Sequence, residues 1–216
     1  MSSLIFYTHP MSRGQTVRWM LEEVGEPYET EILDYGTTMK SEPYLSINPM
    51  GKVPAIKHGD KVVTEVAAIC CYLADAFPQA GLAPPPADRA DYYRWIFFTS
   101  GPVEAAFSNK AAGWEPTPER QRMFGYGNYD LAIAMLEKAL TGRQYIAADH
   151  FTAADLFVGA MVNFMLQFKL LEPTPVFTEY AARVTDRDAY RRAKDIDGRL
   201  IAEIQARQLQ QESANA

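Results

Sequence analysis

A small extended peptide could bind to a chain with the residue types and spacing of Val53, Pro54 and Glu65. Pro54 has no backbone N–H and disfavours helical geometry in the residue before it, so we expect Val53 to be extended with an unpaired N–H and C=O. Glu65 opens an apolar helical run shortly after. Because a helix N-terminus favours a carboxylate and a Glu side chain favours an ammonium, this helix start suits the charged end of an amino acid.

The elements that position these residues follow the order β-α-β, loop, β-β-α. Apolar runs bounded by turn residues predict strands at residues 4–7, 28–33, 53–57 and 61–64. One helix is predicted between the first two strands and closes at Gly25, and another begins at Glu65. The first two strands should be parallel and the last two an antiparallel hairpin, which gives a four-stranded mixed sheet with helices packed on it.

A proline-rich segment, residues 77–86, separates this α/β part from a part with only helical periodicity. We predict a first domain at residues 1–79 and an all-helical second domain at residues 88–216. Its helices are expected at residues 92–110, 118–140, 152–170, 175–184 and 189–207. Thr152 and Asp155, placed just before an apolar run, predict a helix-capping pair with a structural role.

Composition and charge narrow the classes of partner. The 216-residue chain has a formal net charge of −6, which gives no basic patch for nucleic acid or an anionic membrane. Its longest nearly apolar stretch, residues 156–166, falls far short of the roughly 20 residues that cross a bilayer. The start of the chain has no basic residue before its apolar run and no cleavage pattern, so we expect a cytoplasmic protein.

The cysteines and histidines predict neither a metal site nor a dithiol mechanism. Cys70 and Cys71 are the only cysteines, and neighbouring residues on a helix point about 100° apart, which does not suit a disulfide or a shared metal. No CxxC pair is present. The three histidines lie far apart without the spacing of metal ligands.

Three ordered motifs give the chain a resemblance to the cytosolic glutathione transferase family over nearly its whole length. They are Asn48-Pro49-Met50-Gly51-Lys52-Val53-Pro54, the helix from Glu65 to Leu73, and Phe151-Thr152-Ala153-Ala154-Asp155-Leu156. The resemblance is to bacterial, serine-type members. It implies a thioredoxin-like N-terminal domain, a C-terminal helical bundle, glutathione as co-substrate and a homodimer.

The same resemblance implies roles for the docking residues. Pro54 should be in the cis form, and the backbone of Val53 should pair with the cysteinyl part of glutathione. Glu65 should meet the γ-glutamyl end, and Lys52 one of the carboxylates of the tripeptide. Family members commonly carry Ser or Thr where this chain has Val66, so one hydroxyl donor is lost, and we expect affinity roughly tenfold to a hundredfold below a Ser-bearing relative.

The family places the residue that activates the glutathione sulfur in the loop before the first helix. A hydroxyl hydrogen bond to a thiolate, at about 1.5–3 kcal/mol, lowers the thiol pKa by about one to two units and so favours the nucleophile. Ser12 is the expected donor, and Thr8 and Arg13 are the alternatives. Tyr7 lies within the predicted strand, which disfavours a tyrosine-type mechanism, and His9 is expected to be a solvated loop residue with no role.

The second substrate should be an apolar electrophile, bound where the two domains face each other. Candidate residues are Phe107, Trp114, Met123 and Tyr126. The function predicted first is conjugation of glutathione thiolate to an electrophilic small molecule, in detoxification. Two alternatives stay open: a glutathione-dependent disulfide or peroxide reductase or isomerase, and a non-catalytic binding module that has kept the scaffold.

Overall fold

The computed structural model describes residues 3–214, and the expectation about the first residues of the chain lies partly outside them. Contacts group the chain into two compact units. One comprises the chain up to Ala80 and again from Arg187, and the other is Gly81–Asp186. The predicted domain boundaries at residues 79 and 88 stay a prediction, and the contacts place the last helix with the sheet-bearing unit.

The first unit is built on a four-stranded sheet in the order β2-β1-β3-β4. The strands are β1 Leu4–Thr8, β2 Glu29–Ile32, β3 Ala55–His58 and β4 Lys61–Thr64. β1 pairs parallel with β2 and antiparallel with β3, and β3 and β4 form an antiparallel hairpin. The predicted mixed sheet and fold class are therefore confirmed. The third strand begins two residues later than predicted, at Ala55, so Val53 lies outside the ladder.

Nine helices are seen within residues 3–214. They are α1 Gly14–Val24, α2 Tyr44–Ile47, α3 Val66–Ala76, α4 Ala90–Phe98, α5 Glu104–Ala111, α6 Tyr129–Leu140, α7 Ala153–Gln167, α8 Pro175–Thr185 and α9 Asp188–Ala214. α1 buries the predicted apolar stripe and ends at Gly25 with φ 76°, where glycine adopts the left-handed conformation without steric cost. No helix in this described part of the chain is long and apolar enough to cross a membrane.

Polar pairs hold α9 along α1 within the first unit. Arg18 Nε lies 3.0 Å from Asp197 Oδ1, and both side chains are buried. Glu23 accepts two hydrogen bonds from Arg187, at 2.6 and 2.7 Å. Further pairs on this seam are Glu22 with Arg192 and Gln15 with Lys194. Burial raises the pKa of Asp197, and the charge of Arg18 opposes that rise.

The second unit is helical, as predicted, but two of its predicted helices are interrupted. A π-helical segment, Thr99–Val103, contains Pro102 and separates α4 from α5, because proline cannot donate the helical hydrogen bond. The predicted helix at residues 118–140 is wrong in its first half. Asn128 caps α6 by accepting a hydrogen bond from the Leu131 N–H at 2.8 Å, so that helix starts at Tyr129.

The capping pair at the start of α7 is confirmed. Thr152 Oγ1 accepts a hydrogen bond from the Ala154 N–H, and Asp155 accepts one from the Thr152 N–H. The buried Asp155 carboxylate also accepts hydrogen bonds from the Ile146 N–H at 2.7 Å and the Tyr180 hydroxyl at 2.9 Å. Asp155 therefore joins three segments of the second unit.

Candidate functional site

The turn before β3 is closed by Asn48, the first residue of the predicted docking motif. Its main-chain oxygen accepts the Gly51 N–H at 2.8 Å, its Oδ1 accepts the Met50 N–H at 3.2 Å, and its Nδ2 donates to the Lys52 oxygen at 2.8 Å. Gly51 has φ +57°, and a Cβ there would lie 2.8 Å from the main-chain oxygen of Met39. The Asn and Gly of the motif are therefore required by the shape of the turn.

Val53 follows this turn and precedes a cis peptide bond to Pro54, as the resemblance implied. Within residues 3–214 neither the N–H nor the C=O of Val53 has a main-chain partner. Its half-buried side chain packs against a cluster made of Leu33, Met39, Tyr44 and Ala55. Packing therefore fixes the position of Val53 while its backbone stays open to an added strand.

Glu65 precedes the first residue of α3 and has φ 68° and ψ 122°, with no side-chain hydrogen bond to the helix. A non-glycine residue held at such a positive φ costs on the order of 1–3 kcal/mol, and such residues concentrate at functional sites. The Glu65 side chain is exposed and Val66 is half-buried. Since the first N–H groups of a helix have no intrahelical acceptor, the start of α3 offers N–H donors beside an exposed carboxylate.

Ser12 lies in the loop between β1 and α1 and is half-buried. Its hydroxyl donates to the His9 main-chain oxygen at 2.6 Å and accepts the Gly14 N–H at 2.9 Å. A hydroxyl has one proton, and in this structure that proton bonds to the loop itself. Ser12 can donate to a sulfur only after its hydroxyl turns away from His9.

Of the two alternatives to Ser12, Arg13 is half-buried like Ser12, whereas Thr8 is buried. Thr8 is the last residue of β1 and is 1% exposed. Its Oγ1 lies 2.0 Å from where a Cβ would stand on Gly14, so the Thr8 side chain fills the space that glycine leaves. Tyr7 is half-buried within β1 and its ring packs against Tyr44. Burial raises the pKa of the Tyr7 hydroxyl.

His9 is the residue of this loop that sequence reasoning missed. It is 4% exposed, not solvated as expected, and its ring lies 4.4 Å from the Tyr35 ring, centroid to centroid. His9 Nδ1 accepts the Met11 N–H at 3.2 Å, which assigns the ring proton to Nε2. Burial lowers the pKa of His9 and favours the neutral ring. No local pattern indicates this, because the partners come from loop geometry.

Lys52 has an exposed side chain that forms no ion pair with any described residue. Its main-chain oxygen is instead occupied by two side-chain donors, Asn48 and Tyr44. The Lys52 ammonium is therefore available to a ligand carboxylate.

The candidate second-substrate residues fall into two groups. Trp114 and Tyr126 are joined through Phe124, whose ring centroid lies 5.2 Å from that of Trp114 and 6.0 Å from that of Tyr126. Met123 is largely exposed. Phe107 is 4% exposed and packs on Phe164.

Metal-binding and thiol chemistry have little support among the described residues. Within residues 3–214 no group of three or more His, Cys, Asp or Glu side chains is placed to hold a metal ion, and the expected absence of a metal stays a prediction. Cys70 is fully buried, and burial raises the pKa of its thiol far above the ordinary range. That thiol is therefore not a nucleophile.

Comparison with known proteins points to one family. Residues 11–76 match the family described as the glutathione S-transferase N-terminal domain. Glutathione S-transferase GST-4.5 of Xanthomonas campestris pv. campestris is 30% identical over 139 residues, which cover 61% of this chain and 68% of that protein.

Solved structures agree in fold. A glutathione transferase from Methylococcus capsulatus str. Bath matches with a TM-score of 0.75 and 27% identity, over 90% of this chain and 98% of the other. A sphingomonad glutathione S-transferase, solved in complex with glutathione, matches with a TM-score of 0.71 and 26% identity over the same shares of the two chains.

Proposed function

This chain belongs to the glutathione S-transferase family and is a transferase, and from that premise we propose that it binds glutathione along Val53 and joins it through its sulfur to an electrophilic small molecule. The observation that carries the proposal is the open backbone of Val53, held next to a motif whose Asn48 and Gly51 already satisfy the turn. An edge of this kind binds an extended peptide through main-chain hydrogen bonds.

Each part of the tripeptide has a complementary group in the first unit. The cysteinyl residue would exchange two hydrogen bonds with Val53, as one more strand residue. The ammonium of the γ-glutamyl end would meet Glu65, while its carboxylate would accept from N–H groups at the start of α3, including that of Val66. The exposed ammonium of Lys52 would meet a carboxylate of the peptide. These assignments are supported by exposure and by unpaired backbone groups.

Sulfur activation is assigned to Ser12. To donate to the thiolate, its hydroxyl would give up the 2.6 Å bond to His9, whose oxygen still accepts the Ser12 N–H at 3.0 Å. A charged bond of about 1.5–3 kcal/mol then replaces a neutral one of about 1 kcal/mol. The net gain of about 0.5–2 kcal/mol lowers the thiol pKa by roughly half to one and a half units.

The chemical step is a substitution at carbon. The thiol proton leaves to solvent, the thiolate sulfur forms a bond to the electrophilic carbon, and the leaving group departs with its electron pair. We place the apolar part of the electrophile against Trp114 and Tyr126, whose ring cluster is partly exposed. A homodimer, a cytoplasmic location and a role in detoxification complete the proposal.

Two observations favour a second candidate, a binding module without catalysis. The Ser12 hydroxyl is already satisfied by its own loop, and Val66 removes a hydroxyl donor at the γ-glutamyl end. A protein that had kept the glutathione transferase fold and lost the catalytic activity would tolerate both features.

Calorimetric titration with glutathione, followed by ultraviolet absorbance of the bound thiolate against pH, tests these assignments. Ser12→Ala should raise the apparent thiol pKa and lower the conjugation rate with a chloronitroarene. Ser46→Ala is a matched control, because Ser46 Oγ also donates at 2.6 Å to the main-chain oxygen three residues earlier. Binding without thiolate formation would favour the module, and reduction of a mixed disulfide faster than conjugation would favour a reductase.

A further inference from the structure

Three side chains from the segment before β3 occupy the main-chain carbonyls that lie just before Val53. We infer that Lys40, Tyr44 and Asn48 are positioning residues that fix the register of the bound peptide, leaving Val53 as its main-chain acceptor. The inference rests on the proposed binding of glutathione at Val53 and deepens it.

The carbonyl nearest to Val53 is doubly occupied. The Lys52 oxygen accepts a hydrogen bond from the Tyr44 hydroxyl and a second, at 2.8 Å, from Asn48 Nδ2. A carbonyl oxygen has two lone pairs, so the Lys52 oxygen has no further strong acceptor site for an incoming N–H.

The two preceding carbonyls are occupied by one ammonium. Lys40 Nζ donates to the Gly51 oxygen at 2.6 Å and to the Met50 oxygen at 3.2 Å. Each of these two carbonyls thus gives one of its two acceptor sites to a charged donor, the kind that makes the shorter and stronger hydrogen bonds. Lys40 is exposed, so it can make these bonds without burying its charge.

The surroundings of Tyr44 fix its ring and keep its hydroxyl protonated, so the hydroxyl remains a hydrogen-bond donor. It is 2% exposed, packs with Val53 on the same apolar cluster, and lies 5.6 Å from the Tyr7 ring, centroid to centroid. Burial raises the pKa of its hydroxyl, which therefore keeps its proton at neutral pH. The Tyr44 ring thus packs in the apolar cluster that supports the Val53 side chain, and the Tyr44 hydroxyl donates to the Lys52 oxygen.

Because the carbonyls before Val53 already accept hydrogen bonds, the bound peptide has one register. An extended peptide presents main-chain groups about 3.3 Å apart, and an edge with several open carbonyls permits slipped pairings. Because the carbonyls of residues 50–52 are occupied, the cysteinyl N–H finds an open acceptor at Val53. The sulfur then takes a single position along the edge.

The test compares glutathione with an analogue that is methylated on its cysteinyl amide nitrogen and cannot donate there. Calorimetry would measure Kd for both on the wild-type chain, Tyr44→Phe, Lys40→Met and Tyr28→Phe. Tyr28 is the control because its hydroxyl bonds to Arg18 and Glu22, away from this turn. Tyr44→Phe and Lys40→Met should each bind glutathione about three- to tenfold more weakly.

Methylation should weaken binding about tenfold for the wild-type chain and for Tyr28→Phe. It should weaken binding to Tyr44→Phe threefold or less, because the freed Lys52 carbonyl permits another register. Equal methylation costs in all chains, or an unchanged Kd in Tyr44→Phe, would overturn the inference. Should Tyr44→Phe melt too low to titrate, the exposed Lys40→Met decides by the same comparison. No heat of glutathione binding in the wild-type chain would instead overturn the proposed function.

Discussion

The loop that carries Ser12 and the turn that precedes Val53 use hydrogen bonds in opposite ways. In the first, the donor proposed for the sulfur bonds inward to His9. In the second, side chains fill the neighbouring carbonyls and leave the backbone of Val53 open. On the proposed function, the peptide edge is therefore formed before a ligand arrives, whereas the proposed sulfur donor has to be redirected by the ligand.

On the proposed function, the turn before Val53 therefore determines the affinity for the peptide, and the loop that carries Ser12 determines the reactivity of its sulfur. A preformed edge spares the bound peptide the cost of ordering the turn. A donor that exchanges one hydrogen bond for another contributes only the difference between the two. Variants that disturb one loop and leave the other intact can test this separation.

The largest effect is expected at Gly14, the first residue of α1, where the Ser12 loop ends. A Cβ there would lie 2.0 Å from Thr8 Oγ1 and 3.2 Å from Thr8 Cβ, so Gly14→Ala should lower the free energy of unfolding by about 3 kcal/mol. Urea denaturation measures it, and adding Thr8→Ala should restore part of the loss. Gly198→Ala, in α9 with open space around it, should be neutral or stabilising by up to about 1 kcal/mol. Equal stability of Gly14→Ala and Gly198→Ala would contradict the packing described.

Removing the Asn48 side chain from the turn before Val53 should lower the free energy of unfolding by somewhat less than Gly14→Ala does. Asn48→Ala removes the side-chain bonds to the Met50 N–H and the Lys52 oxygen, and we expect a loss of about 2 kcal/mol in unfolding free energy. Asn48→Asp keeps the acceptor and loses the donor, so it should fall between Asn48→Ala and the wild-type chain. If the two variants unfold at the same urea concentration, the Oδ1 acceptor contributes nothing to the turn.

A smaller effect, of opposite sign, is expected at the start of α3. Glu65→Gly should stabilise the protein by about 1 kcal/mol, because glycine adopts φ 68° without strain. Glu65→Gln keeps the strained backbone and should leave stability within about 0.5 kcal/mol. Both variants should bind glutathione more weakly in calorimetry. A destabilised Glu65→Gly would show that this conformation carries no strain.

The smallest effect is the pH dependence from His9. Because burial lowers its pKa in the folded protein, the unfolded chain binds the proton first, so stability present above about pH 6.5 is lost as the pH falls through the folded pKa. The slope stays below the roughly 1.4 kcal/mol per pH unit of one full proton. Urea unfolding from pH 5 to 7 should show this slope in the wild-type chain and in the exposed-site control His150→Gln, and a reduced slope in His9→Asn.

What could be predicted from sequence depends on how local the cause is. The strand order, the turn motif around Pro54 and the Thr152 capping pair depend on residues within a few positions of one another, and the structure contains all of them. The positive φ of Glu65 was not predicted, because a helix-start pattern specifies which residue begins the helix and not the dihedral angles before it.

Loop geometry and contacts distant in sequence account for the rest. The Ser12 hydroxyl and the burial of His9 depend on how the whole loop turns. Asp197 pairs with Arg18 although 179 residues separate them, and periodicity along α9 contains no information about that partner. The helix predicted at residues 118–140 lacks its first half, where Phe124 and Tyr126 pack with Trp114 as an aromatic cluster instead.

The seam between α1 and α9 also affects how the chain is made. Arg18 leaves the ribosome early, and its buried partner Asp197 follows only after all of Gly81–Asp186 has been synthesised. At roughly 5–20 residues per second, the sheet waits on the order of ten seconds for its last helix. During that interval Arg18 has only the neutral partners Tyr28 and Thr30 from the sheet side and lacks its carboxylate.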